Sequence, residues 1–95
     1  MLTNYFVYIT TNPSKTVLYV GVTNNLERRI KEHQANKGKS TTFAGKYFCY
    51  NLVYFEDYFD LNQAIAREKE IKKLTRKEKE ELIKIKNPDW NFIKT

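Results

Sequence analysis

Tyr5-Phe6-Val7-Tyr8-Ile9-Thr10 and Val17-Leu18-Tyr19-Val20-Gly21-Val22 decide the fold. Each is a run of β-branched and aromatic residues of strand length, too short for a helix. Asn12-Pro13-Ser14-Lys15 between them is a turn signal, so the chain opens with a hairpin on a long loop. Strand alternation puts Phe6, Tyr8 and Thr10 on one face of the first strand, and Val17, Tyr19 and Gly21 on one face of the second.

Beyond the hairpin, Asn24 with Glu27 reads as a capping box opening a helix from Asn25 to about Asn36, stopped at Lys37-Gly38-Lys39. Residues 38–46 read as a polar, glycine-containing loop. Residues 47–58, YFCYNLVYFEDY, read as a third strand bent in the middle. Asp60 with Gln63 predicts a second helix to about Leu74, and Thr75 with Glu78 a third to about Lys86. Asn87-Pro88 ends it, and Trp90-Asn91-Phe92 lies near the close of the sequence. The order β-β-α-β-α-α predicts an α+β fold, a three-stranded, mostly antiparallel sheet flanked by helices, with residues 1–95 as a single domain.

Composition narrows the function. Lys and Arg number 17 against 11 Asp and Glu, a formal charge of +6, which suits a polyanion such as nucleic acid. General solubility, an acidic membrane surface and an acidic protein are the other readings of that charge. Cys49 is the one cysteine, so an internal disulfide and a Cys/His zinc site are both excluded, as expected in a reducing compartment. The opening MLTNYFVYIT lacks the basic and long apolar regions of a signal peptide, and no stretch approaches the roughly 20 apolar residues of a membrane span. A cytoplasmic protein without membrane attachment is expected.

On a helical wheel of about 100° per residue, Leu26, Arg29, Ile30 and His33 share one arc, while Arg28, Lys31 and Glu32 lie opposite. Arg29 and His33 are i, i+4 neighbours whose side chains reach one locus. On the second helix Glu68 falls among Leu61, Ala64, Ile65 and Ile71, whereas Glu70 faces outward. An inward charge is costly unless paired or bound to a cation. The pattern fits two readings: a structural Arg29–Glu68 ion pair with His33 as a satisfied interface residue, or a functional pocket walled by Tyr8 and Tyr19. Each tyrosine alone also fits plain core packing, and Gly21 also fits a bulge or a close helix approach.

Phe6-Val7-Tyr8 and Tyr19-Val20-Gly21 on successive strands, Arg29 and His33 on the next helix, Glu68 in Arg67-Glu68-Lys69-Glu70-Ile71, and Asn91 after Trp90 together resemble the GIY-YIG nucleases. The likeness spans nearly the whole chain and is strongest to the small stand-alone bacterial members of the UPF0213 type. Phe6 stands where the family usually has glycine, Val20 where isoleucine is usual, and Val22 where repair members carry lysine. His33 is the one histidine, so the resemblance does not extend to a histidine-pair mechanism.

The resemblance implies a metal-dependent endonuclease acting on DNA, with repair of branched or damaged strands as the family context. It implies Mg²⁺ or Mn²⁺ held by Glu68, Arg29 on the scissile phosphate, and Tyr19 or His33 as the base toward water. Tyr8 would position water or phosphate, and Asn91 would bond near the metal or brace Tyr8. Arg28, Lys31, Lys46, Lys69, Lys72 and Lys73 are candidates for contact with the nucleic-acid backbone, and Arg76 and Lys77 extend that set. The positive stretch from Lys37 to Lys46 would clamp a strand. A non-catalytic nucleic-acid- or protein-binding module is the rival class, since fold does not give function. A weak homodimer or a targeting partner protein is compatible with aromatic residues on the third strand.

Overall fold

The computed structural model describes residues 4–37 and 43–95. Strands β1 (Tyr5–Thr11) and β2 (Leu18–Thr23) form the expected antiparallel hairpin, with Tyr8 opposite Gly21 and Thr10 opposite Tyr19. Strand β3 (Asn51–Tyr58) pairs antiparallel with the other side of β1, giving the order β2-β1-β3. Helices α1 (Leu26–Ala35), α3 (Leu61–Lys73) and α4 (Arg76–Lys86) complete the β-β-α-β-α-α order. A short helix α2 (Phe43–Lys46) precedes β3.

The pleat sends alternate side chains to two different helix layers. Val7, Ile9 and Val20 pack with Ala64 and Ile71 of α3 and Ile83 of α4. Tyr8 and Leu52 turn to the opposite face and pack with Ile30 of α1, with Tyr19, Leu26 and Ile93 alongside. The sheet therefore lies between α1 on one side and α3 with α4 on the other.

Several boundaries differ from the sequence expectation. β3 begins at Asn51 rather than Tyr47, because Phe48 sits at φ 59, a left-handed conformation that breaks an extended run. The expected bend is real: the register jumps from Ile9–Tyr54 to Thr10–Leu52, leaving Val53 as the extra residue of a bulge. The cap of α1 is Asn25, not Asn24; its side chain accepts from the Arg28 backbone N–H, while Asn24 accepts from the Arg28 guanidinium. Asp60 does cap α3, but by accepting from Asn62 N–H and without the Gln63 box. Thr75 and Glu78 form the reciprocal capping box as expected. Within 38–46, the expected loop gives way to α2 at residues 43–46; residues 38–42 lie outside the described residues.

The outer edge of β3 is sealed by the end of α4 and the C-terminal segment. Asn87 Nδ2 donates to Val53 O at 2.9 Å, Ile93 N–H to Leu52 O at 2.7 Å, and Lys86 Nζ to Phe55 O at 3.1 Å. β2, which carries Tyr19, is the opposite edge of the sheet.

Candidate active site

Tyr8 is the centre of the site and is fully buried. Its ring crosses over Gly21: a Cβ there would stand 2.4 Å from Tyr8 Oη. The glycine of Tyr19-Val20-Gly21 is thus explained by the room the Tyr8 phenol requires, and not by backbone strain. Arg29 Nε–H donates to Tyr8 Oη at 3.1 Å. Tyr8 Oη also lies 3.0 Å from His33 Nε2. With its oxygen accepting from Arg29, the phenol proton is free to go to His33, which makes Nε2 the acceptor and puts the ring proton on Nδ1. Tyr19 completes the group: its ring meets His33 edge-on with centroids 5.4 Å apart, and it bonds to both Arg29 and Tyr8.

Charge follows burial here. His33 is 4% exposed. Burial, and then the Arg29 charge, push its pKa down to about 4, so it is neutral near pH 7, as an acceptor must be. Burial pushes the Tyr8 phenol up to about 12 against the opposing pull of Arg29. Arg29 is held more firmly protonated, chiefly by its bond to Tyr8. It is half-buried and also pairs with Glu32 at 3.5 Å.

Glu68 is carried by a different helix from Arg29 and His33. It belongs to α3, on the other side of the sheet, with its side chain 16% exposed and Oε1 3.3 Å from Lys72 Nζ. The wheel correctly separated it from the outward Glu70 but gave no information on which layer α3 joins. Lys72, the ion-pair partner of Glu68, lines one shallow cavity of about 310 Å³ with Tyr19 and Lys79. The Arg29–Glu68 ion pair does not form; each has a neighbour on its own helix instead.

Asn91 follows Trp90 in the C-terminal segment. Its side chain is exposed, and its backbone N–H and C=O are both held by the buried Asn87 side chain. These bonds close a turn in which Trp90 takes φ 54, and the same Asn87 side chain also donates to Val53 O. Arg28, Lys31, Lys69 and Lys73 are exposed on their helices, and Lys46 stands 5.4 Å over the Tyr47 ring. Arg76 is committed elsewhere: it donates to the carbonyls of Lys15 and Thr16 and stacks on Trp90, clamping the β1–β2 loop. Only part of the Lys37–Lys46 stretch lies within the described residues.

A second charged cluster was not anticipated from the sequence. Glu56, 12% exposed, takes a two-pronged bond from Arg67 (Nε at 2.9 Å, Nη2 at 3.1 Å) and accepts the hydroxyls of Tyr54 and Tyr58. Burial alone would push its carboxyl up, but these bonds outweigh it and hold the carboxyl down to about 2. The signal was present as Tyr54-x-Glu56-x-Tyr58, a carboxylate at a strand position facing α3. Among the described residues, no three His, Cys, Asp or Glu side chains gather as around a metal ion, and no helix is long and apolar enough to cross a membrane.

Comparison with known proteins agrees with the fold. The family model for the GIY-YIG catalytic domain matches residues 4–81. A UPF0213 protein of Clostridium perfringens is 46% identical over 70 residues, covering 74% of this chain and 73% of its own. One from Natronomonas pharaonis is 37% identical over 83 residues, covering 87% and 94%. The solution NMR structure of a UPF0213 protein from Bacillus halodurans superposes with a TM-score of 0.56 at 33% identity, covering 92% of this chain and 89% of that one.

Proposed function

The chain belongs to the GIY-YIG family, and on that premise we propose that it is a divalent-metal-dependent endonuclease hydrolysing phosphodiester bonds in DNA. One observation carries the proposal: an Arg29–Tyr8–His33 chain of hydrogen bonds, buried at Tyr8 and His33, beside the half-buried Arg29 and Tyr19. A guanidinium fixed by a phenol is costly to assemble away from water and matches the needs of a phosphate site.

Glu68 is the residue that would hold Mg²⁺ or Mn²⁺. A hard cation bound through one carboxylate, waters and substrate oxygens fits that residue, and its Oε1 already accommodates the positive charge of Lys72. The ion would supply Lewis-acid charge to the phosphoryl oxygen. The chain's own residues do the rest. Arg29, positioned through Nε by Tyr8, offers its remaining N–H groups to the phosphate. Tyr19 acts as base toward the attacking water: its phenol gives its own proton to bulk solvent, and the phenolate, beside the Arg29 cation, then takes the water proton. His33 is unsuited to that step, since Nε2 is engaged by Tyr8 away from solvent; it acts by fixing Tyr8. Arg28, Lys31, Lys69, Lys72 and Lys73 supply backbone contacts.

Lys72 bonded to Glu68 favours one rival, a non-catalytic binding module in which that pair is structural. Incubation with branched, flapped and duplex DNA and with RNA, with and without Mn²⁺, separates the two. Metal-dependent cutting supports the nuclease; binding without cutting under every condition supports the module.

A further inference from the structure

On the α1 side of the sheet a groove of about 390 Å³ runs between α1 and the C-terminal segment. Its floor is Ile30, Leu52 and Ile93, which belong to the same apolar cluster as Tyr8. The Ile93 N–H bond to Leu52 O, at 2.7 Å, fixes the C-terminal wall against β3. Two aromatic rings line it, Tyr50 and Phe92, together with Lys31 and Lys94. Phe92 is 43% exposed, a large ring that the core does not use. Two further lysines stand over these rings: Lys15 Nζ is 5.2 Å from the Phe92 centroid and Lys37 Nζ 5.6 Å from that of Tyr50. None of the described side chains lining the groove is acidic.

We propose that this groove binds an unpaired nucleic-acid strand, with bases on Phe92 and Tyr50 and phosphates on the lysines. The substrate of the proposed nuclease then carries a single-stranded segment beside the cleaved bond; this extension rests on the nuclease reading. Rings interleaved with cations are the means by which proteins hold single strands without sequence preference. Duplex bases are stacked on one another and cannot lie on a side-chain ring, so the rings select unpaired bases. Exposed cation–π contacts are weak, and the lysines over the rings exchange them for phosphate when a strand enters. The shared floor places the bound strand on the same side of the sheet as Tyr8 and Arg29.

The test is anisotropy binding of a short fluorescent oligothymidylate and a duplex of equal length, in EDTA so that nothing is cut. Phe92→Ala should weaken oligothymidylate binding about tenfold, the order expected for one lost base stack, and leave duplex binding within about twofold. Phe92→Trp should restore it, and Phe59→Ala, at a 72% exposed ring outside the groove, should change nothing. Unchanged oligothymidylate binding in Phe92→Ala overturns the proposal, as does equal affinity for polyglutamate. Separate cleavage assays keep the two readings apart. Cutting that persists while Phe92 proves irrelevant overturns the groove alone. Phe92-dependent binding in a protein that cuts nothing keeps the groove and overturns the nuclease.

Discussion

Replacing Gly21 by alanine should damage the site from a position that makes no side-chain contact. The new Cβ would stand 2.4 Å from Tyr8 Oη, 2.6 Å from Cζ and 3.0 Å from Cε1. Ordinary contact requires the phenol to retreat by roughly 1 Å. A side-chain tip can often swing away, but this one is fully buried, with the His33 ring 5.8 Å and the Tyr19 ring 6.3 Å from its centroid. A retreat of that size stretches bonds of 3.0 Å to His33 and 3.1 Å to Arg29 beyond hydrogen-bonding range. Overpacking and stranded polar groups together cost about 2–4 kcal/mol. For a domain of this size that is a fall in Tm on the order of 10–25 °C. Thermal and urea unfolding followed by circular dichroism measure it, and cleavage should fall in parallel in the fraction that folds. A Gly21→Ala variant within about 0.5 kcal/mol of the parent, a typical surface-substitution effect, would refute the close approach of Tyr8 to β2.

Acid should destabilise the fold in two windows. His33 has its folded pKa depressed to about 4 from 6.5, so its contribution is present above pH 6.5 and is lost as pH falls toward 4. Glu56 has its folded pKa depressed to about 2 from 4.5, so its contribution is lost between pH 4.5 and 2. Each is worth on the order of 3 kcal/mol, and urea midpoints measured across pH should lose the upper slope in His33→Gln and the lower one in Glu56→Gln. Arg29→Ala should reduce cleavage by at least about 100-fold, as loss of a charge-stabilising donor does. Arg28→Ala, at an exposed side chain bonded to Asn24, should cost less than about fivefold and lower the salt slope of binding by about one unit. Equal effects of the two would mean that the α1 face is misassigned.

The parts of the fold legible in the sequence were those set by local chemistry. Two runs of β-branched and aromatic residues about a turn signal gave the hairpin, and Thr75 with Glu78 gave the start of α4, because a capping box is written entirely in four residues. Arg29 and His33 were legible as inward because α1 turns one face to the sheet, where Ile30 packs with Tyr8 and Leu52. Choices between equivalent residues were not legible: Asn24 and Asn25 are alike in type, and the cap is Asn25, whose side chain accepts from the Arg28 N–H while its own N–H is held by Thr23 Oγ1. Nor was layer assignment, which depends on how α3 packs. Glu68 was therefore recognisable as inward without its position across the sheet from Tyr8. Leu61, the wheel reference for α3, is 42% exposed, so the arc was centred slightly off the true core line of Ala64 and Ile71. Asn87 shows the same limit: its place in the core depends on meeting Val53, a residue distant in sequence.

The most direct measurement compares wild-type protein with Glu68→Ala on flapped and branched DNA, with and without Mn²⁺, after circular dichroism has shown both to be folded. The account predicts Mn²⁺-dependent cutting by the wild type and none by the variant, with binding of the DNA retained in both. Full cutting by Glu68→Ala, or a wild type that binds these substrates and never cuts them, would contradict it.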